Sequence, residues 1–170
     1  PFRYRNKAQF PVGRDRNGRL IAGFYAGRTH TNVECRDCLL GDKVNEKILN
    51  LVLEHMETHG ISPYDETTGQ GLVRHIMTRT GFQTGQIMVC IVVNGDSLPA
   101  GDALAAELAQ IPGMTSITLN INKENTNVIL GKKIITLWGQ DYIEDMIGSV
   151  RFRISPLSFY QVNPVQTEKL

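Results

Sequence analysis

No apolar run in these 170 residues reaches the length of a membrane-spanning helix, and the first residues carry no signal-peptide pattern. Cysteine is scarce. Three residues, an odd number, argue against a disulfide scaffold and for a reducing compartment, which leads us to expect a cytoplasmic protein. Net charge is only +1, so charge balance alone excludes neither nucleic acid nor an acidic partner. Internal repeats, coiled-coil heptads and low-complexity segments are all missing, which leaves an ordinary globular chain. No glycine-rich fingerprint follows a strand, and Lys123–Asn127 with Gly131–Lys133 lacks the spacing of a phosphate loop. A complete nucleotide-binding half-domain is thereby excluded. Nor does any spacing support a Ser-His-Asp order or a catalytic carboxylate pair.

What is present suffices for one domain with a real core: 41% hydrophobic and 21% charged residues. Tyr4 to Val12 and Leu20 to Ala26 read as strands joined by the turn Asp15-Arg16-Asn17-Gly18, since Asn-Gly supplies positive φ at little strain. Gly27 to Leu40 reads as irregular. Val44, Ile48, Leu51, Val52 and His55 or Met56 recur at helical spacing, so Asp42 to His59 reads as a helix closed by Gly60. Gly71 to Thr80 and Gln86 to Val93 form a second apolar hairpin. Pro99 to Gln110 reads as a helix, and Met114 to Asn122, Val128 to Leu130 and Ile134 to Trp138 as strands. Tyr142 to Ile147 leads into a last strand. Strand pairs interleaved with helices, without strict alternation, predict an α+β fold: a mostly antiparallel β-sheet with two helices packed on it.

Val150 to Ile154 alternates apolar and basic residues, which sets one face on a core and Arg151 and Arg153 on the other. Ser155-Pro156 ends that strand. Asn163-Pro164 reads as a helix start, with Asn163 as N-cap and Pro164 at the first helical position. The helix stops at Leu170 while still short enough to be marginal in water. The chain therefore reads as a fragment, and its start at Pro1-Phe2-Arg3-Tyr4 without a Met reads as trimmed.

Several residues invite a functional reading. Cys35-Arg36-Asp37-Cys38 is a C-x-x-C, a spacing used by metals and redox thiols, but it stands as one pair without a second. Cys90, inside an apolar strand, reads as a packed small hydrophobe. His55, His59 and His75 suit surface or core roles, whereas His30, in an irregular stretch after Arg28, is the best polar candidate of the four. Arg3, Arg5, Lys7, Arg14, Arg16, Arg19 and Arg28 are interleaved with Phe2, Tyr4, Phe10 and Tyr25. Basic residues and aromatics on a strand pair suit phosphate contacts and base stacking, or else a solvated hairpin face.

Four stretches taken together resemble the 23S rRNA (uracil-5-)-methyltransferases, relatives of the tRNA uracil-5-methyltransferase. They are Tyr4-Arg5-Asn6-Lys7-Ala8-Gln9-Phe10-Pro11-Val12-Gly13, Gly23-Phe24-Tyr25 with His30, Asn125-Thr126-Asn127-Val128-Ile129-Leu130-Gly131, and Ile154 to Pro164. In that family an RNA-binding barrel precedes a central domain, and a Rossmann-like domain binding S-adenosylmethionine follows. The resemblance implies that residues 1–154 are the central α+β domain and 155–170 the start of the methyltransferase domain. It implies that Gln161, in Phe-x-Gln-x-Asn, contacts the methyl donor or the target base, and that Phe159 lines that pocket. Cys38 matches the fourth ligand of a 4Fe-4S cluster in cluster-bearing relatives. The other three ligands would precede Pro1, so no intact cluster is expected in this chain. The glycine-rich donor loop, the nucleophilic cysteine that attacks uracil C6 and the carboxylate base have no counterparts here.

These implications lead us to expect an inactive fragment that contributes RNA binding through Arg3, Arg5, Lys7 and His30, with Arg151 and Arg153 as weaker candidates. Its expected partners are 23S rRNA and the remaining domains of the parent enzyme, not DNA or a membrane. Two rival readings are a rigid spacer between domains, and a small domain with a structural metal at Cys35 and Cys38, which would need two further ligands.

Overall fold

A computed structural model describes residues 2–170. The first hairpin joins β1 (Lys7–Arg14) to β2 (Leu20–Tyr25). Its turn is set by Asp15, whose Oδ1 accepts the backbone N–H of Asn17 and of Arg19, each at 2.9 Å, with Gly18 at φ 79°. Those backbone donors hold the Asp15 carboxyl below its ordinary range. The stretch expected to be irregular contains a short strand, β3 (Asn32–Glu34), which pairs antiparallel with β2. Three residues are too few to show a period, so no pattern announced it.

Helix α1 (Val44–Thr58) buries Ile48, Leu49, Val52, Leu53 and Met56. The Asp42 Oδ1 accepts the Val44 N–H at 2.9 Å, and Gly60 at φ 61° lets the chain leave the helix. Strands β4 (Val73–Thr80) and β5 (Ile87–Val93) form the second hairpin, as expected. Helix α2 (Gly101–Leu108) then crosses over to β6 (Met114–Ile121), which lies parallel to β5, and β7 (Lys133–Gly139) returns antiparallel.

The sheet order is β3-β2-β1-β4-β5-β6-β7, so β5-β6 is its single parallel pair. Both α1 and α2 contribute to one core on one face of this sheet, with Phe10, Ile76, Val89, Ile91, Ile117 and Leu119. The expected α+β architecture, a mostly antiparallel sheet carrying two helices, is met. The opposite face carries a smaller cluster of Met77, Met88, Cys90, Ile143 and Ile154, together with buried polar groups on His75, Arg79, Ser116, Thr118 and Asn120.

Two expectations need correction. Val128–Leu130 is not a strand. Its carbonyls are taken by side chains instead: the Asn122 Nδ2 donates to Val128 O at 2.7 Å and Ile129 O at 3.0 Å. Asn120 completes the arrangement by bridging both the N–H and the carbonyl of Gly131, at 2.7 and 2.8 Å. Side-chain amides thus replace a ladder. Secondly, the last strand, β9 (Val150–Ile154), pairs with β8 (Ile143–Ile147) in a separate two-stranded ribbon and does not set one face on a core. Only Ile154 of β9 is buried; Val150 and Phe152 stay exposed, so the predicted core face is mostly open.

The ribbon is tied down by Asp145, fully buried, whose carboxylate accepts the backbone N–H groups of Phe82 and Gln83 at 3.2 and 2.9 Å. Tyr160 donates its hydroxyl to the same carboxylate at 3.3 Å. Burial first, and then the Asp145 charge, push the Tyr160 phenol up to about 12. The closing element α3 (Pro164–Thr167) starts as the sequence predicts, with the Asn163 Oδ1 accepting the Gln166 N–H at 3.2 Å. Among the described residues no helix is long and apolar enough to cross a membrane.

Candidate nucleic-acid interface

The segment 155–163 runs back to the start of the chain, and this return builds the best candidate site. The backbone N–H of Asn6 donates to Val162 O at 2.9 Å, and its side-chain amide donates to Gln161 O at 2.8 Å. From below, the guanidinium of Arg79 donates to the carbonyls of Ser158 and Pro156. Asn6 and Arg79 therefore fix the backbone around Gln161 and leave the Gln161 side chain exposed.

Beside this junction lies a groove of about 500 Å3, lined by Arg5, Lys7, Gln9, Phe24, Cys38 and Val162 among others. Lys7 faces Arg79 across the β1–β4 ladder. Its burial, and then the Arg79 charge, lower the Lys7 ammonium pKa. Burial likewise lowers that of Arg79. Among the described residues, neither the half-buried Lys7 nor the exposed Arg5 in this groove pairs with a carboxylate, and the buried Arg79 adds positive charge behind Lys7, which is the electrostatic condition for phosphate capture.

The residues named from sequence divide. Arg5, Lys7 and Cys38 come together in this groove, and Gln161, outside it, is bound through its carbonyl to Asn6. Arg3 does not point outward: its Nη1 contacts Asp37 Oδ1 at 2.6 Å and the carbonyls of Cys38 and Gly41 at 2.9 and 3.1 Å, pinning the 37–41 loop. His30 lies elsewhere, against Tyr25, on the wall between two further clefts of about 630 and 390 Å3. Arg151 and Arg153 both pair with Glu144, at 2.8 and 3.4 Å, and Arg153 also covers the Tyr142 ring. Phe159 is 87% exposed, and none of the three clefts includes it or Gln161. The described residues by themselves therefore do not enclose a methyl donor.

Cys35 and Cys38 are half-buried, and burial, then the neighbouring Cys38, pushes the Cys35 thiol up. Among the described residues no group of three or more His, Cys, Asp or Glu could hold a metal ion, and two thiols do not fit a four-thiolate cluster. Cys90 is fully buried, its thiol pushed up to about 11 by desolvation, which disqualifies it as a nucleophile.

Sequence reasoning missed Asn6, Arg74, His75 and Arg79. The signal available was charge where none belongs: Arg74, His75 and Arg79 sit in β4, a strand buried along seven of its eight residues.

No family model matches the chain. Full-length similarity does. The chain is 46% identical over its whole length to a protein of Clostridium tetani named an uncharacterized RNA methyltransferase, and equally identical to one of the same name from Listeria monocytogenes. A relative from Caldanaerobacter subterraneus, similarly named, is 43% identical. The chain spans 37% of the length of the first two. Its fold matches, with a TM-score of 0.81 and 22% identity, 99% of this chain and 39% of a crystallised Pyrococcus abyssi tRNA (uracil-54, C5)-methyltransferase in complex with S-adenosyl-L-homocysteine. The kinship expected from the four sequence stretches is met.

Proposed function

Because the chain belongs, along its entire length, to one part of the RNA methyltransferases, we propose that it is the substrate-positioning domain of an S-adenosylmethionine-dependent enzyme that methylates C5 of a uridine in 23S rRNA. The observation that carries this reading is the groove of Arg5 and Lys7, joined through Asn6 to the backbone of Gln161. Phosphates of a folded RNA lie on the two cations. Asn6, between these two cations in the chain, holds the backbone of Gln161 in place, where its exposed amide can both donate to and accept from a base or methyl donor. RNA grip and the entry to the reacting centre are thus tied together through Asn6. On this reading residues 1–154 are the positioning domain, and 155–170 open the catalytic one, which binds the methyl donor with residues outside this chain.

S-adenosylmethionine supplies the methyl group. The nucleophile that adds to uracil C6 also comes from outside, since Cys35, Cys38 and Cys90 are all poor thiolates or lie in the wrong context. On this reading the chain binds RNA without turnover, in the cytoplasm.

The test is equilibrium binding of the chain to a 23S rRNA fragment and to a tRNA across a salt series. Arg5→Ala and Lys7→Ala each weaken binding and reduce the log–log salt slope by about one. Affinity unchanged in both variants would remove the groove from the RNA path. It would leave the chain as a spacer between domains, a role the Asn6 clasp could serve alone.

A further inference from the structure

The cleft of about 390 Å3 lies apart from the Arg5–Lys7 groove, between the loop that joins β2 to β3 and the segment Thr126–Ile129. Two buried residues of β4 border it, Arg74 and His75. Arg74 is already engaged: its guanidinium donates to the carbonyls of Asn122, Glu124 and Thr126 at 3.1, 2.6 and 3.4 Å. It also covers the Tyr64 ring and lies 3.6 Å from Glu66.

His75 is not engaged. It is only 5% exposed, and its Nδ1 has no hydrogen-bond partner. A buried polar group without a partner is rare, and this one belongs to a residue that lines the cleft. Tyr25 stands beside it, edge-on to His75 with centroids 6.4 Å apart and edge-on to His30 at 5.3 Å. Arg28 sits exposed at the rim with φ 61°.

We propose that this cleft receives an unpaired nucleobase of the RNA, other than the uridine to be methylated, stacked on Tyr25 with its edge towards His30 and hydrogen-bonded to His75, with its phosphate on Arg28. The inference rests on the reading of this chain as part of an RNA methyltransferase.

Base chemistry fits the cleft better than phosphate chemistry does. Burial, and then the charge of Arg74, depress His75 to about 4, so at neutral pH its imidazole is uncharged and offers one donor and one acceptor. Both terminal nitrogens of the buried Arg74 are already taken by carbonyls, and Glu66 on the wall repels an anion. Aromatic faces with a neutral hydrogen-bonding group, and a cation only at the mouth, recognise a splayed-out base. Tyr25, His30 and Glu66 also line the neighbouring cleft of about 630 Å3, so the strand has room to continue.

The experiment is a titration of the chain, labelled at histidine nitrogens, with a single-stranded RNA decamer, with the same decamer carrying abasic positions, and with inorganic phosphate. The His75 imidazole resonances shift with the intact decamer and stay still with the abasic one and with phosphate. Tyr25→Ala and His75→Phe each weaken decamer binding about tenfold, the loss expected for one stacked or hydrogen-bonded base. Still His75 resonances at RNA concentrations that saturate Arg5 and Lys7 overturn the base cleft and leave the proposed function standing. Phosphate shifting His75 as strongly as RNA also overturns it. No RNA binding at all removes both.

Discussion

His75 makes the fold acid-sensitive. Desolvation and the adjacent Arg74 charge depress its pKa from 6.5 to about 4 in the folded state. Between those values the unfolded chain binds more protons than the folded one, so stability falls as pH falls. The whole gap corresponds to about 3 kcal/mol, and about 2 kcal/mol of it is lost between pH 7.5 and 5. The carboxyls of Asp15, Asp37 and Asp96 are also held low, by the Arg19 backbone, Arg3 and Lys123 in turn, but they act below their ordinary 3.8. Urea unfolding at pH 7.5, 6.5, 5.5 and 5 reads the slope directly. His75→Phe flattens it and leaves the variant about 2 kcal/mol more stable than the parent at pH 5, because the lost nitrogen had no partner. An identical slope in the parent and in His75→Phe would refute the assignment of the acid sensitivity to this residue.

Arg74→Met leaves carbonyls of the 122–126 loop without their donor and destabilises the chain by about 3 kcal/mol, read as a lower urea midpoint. Arg74→Lys recovers little of that, since one ammonium cannot span three carbonyls; full recovery would mean charge alone matters there. Asp145→Ala orphans two backbone N–H groups and the Tyr160 hydroxyl, costing about 3 kcal/mol, whereas Tyr160→Phe costs about 1 kcal/mol. Equal losses in the two thermal melts would show that Asp145 does not hold the 81–85 turn.

Much of the frame was readable because it rests on local chemistry. Asn17-Gly18 marked the first hairpin, the 3.6 spacing from Val44 to Met56 marked α1, and the alternation from Ile117 to Ile121 marked β6. What escaped was non-local. Val128–Leu130 looks like strand material until Asn122 is seen to bind the Val128 and Ile129 carbonyls and Asn120 to hold Gly131. Of the interface, Arg5 and Lys7 were legible as basic residues among aromatics. Arg3 carried the same signal and turned inward, because Asp37 lies 34 residues away along the chain. His75 and Arg74 were hidden in a strand that scores as apolar, although an arginine and a histidine between Val73 and Ile76 were the clue.

The clasp between Asn6 and residues 161–162 has a kinetic side. Its Asn6–Gln161 bond joins residues 155 apart, so it closes a loop nearly as long as the chain and forms only when the intervening sheet is already in place. The segment from Ser155 to Asn163 therefore docks last and leaves first, opening locally while the seven strands stay paired. Each opening breaks the hold of Asn6 and Arg79 on the tail backbone and lets it swing away from the mouth of the Arg5–Lys7 groove. Slow amide exchange at Asn6, whose N–H is bound to Val162 O, measures how often the clasp opens.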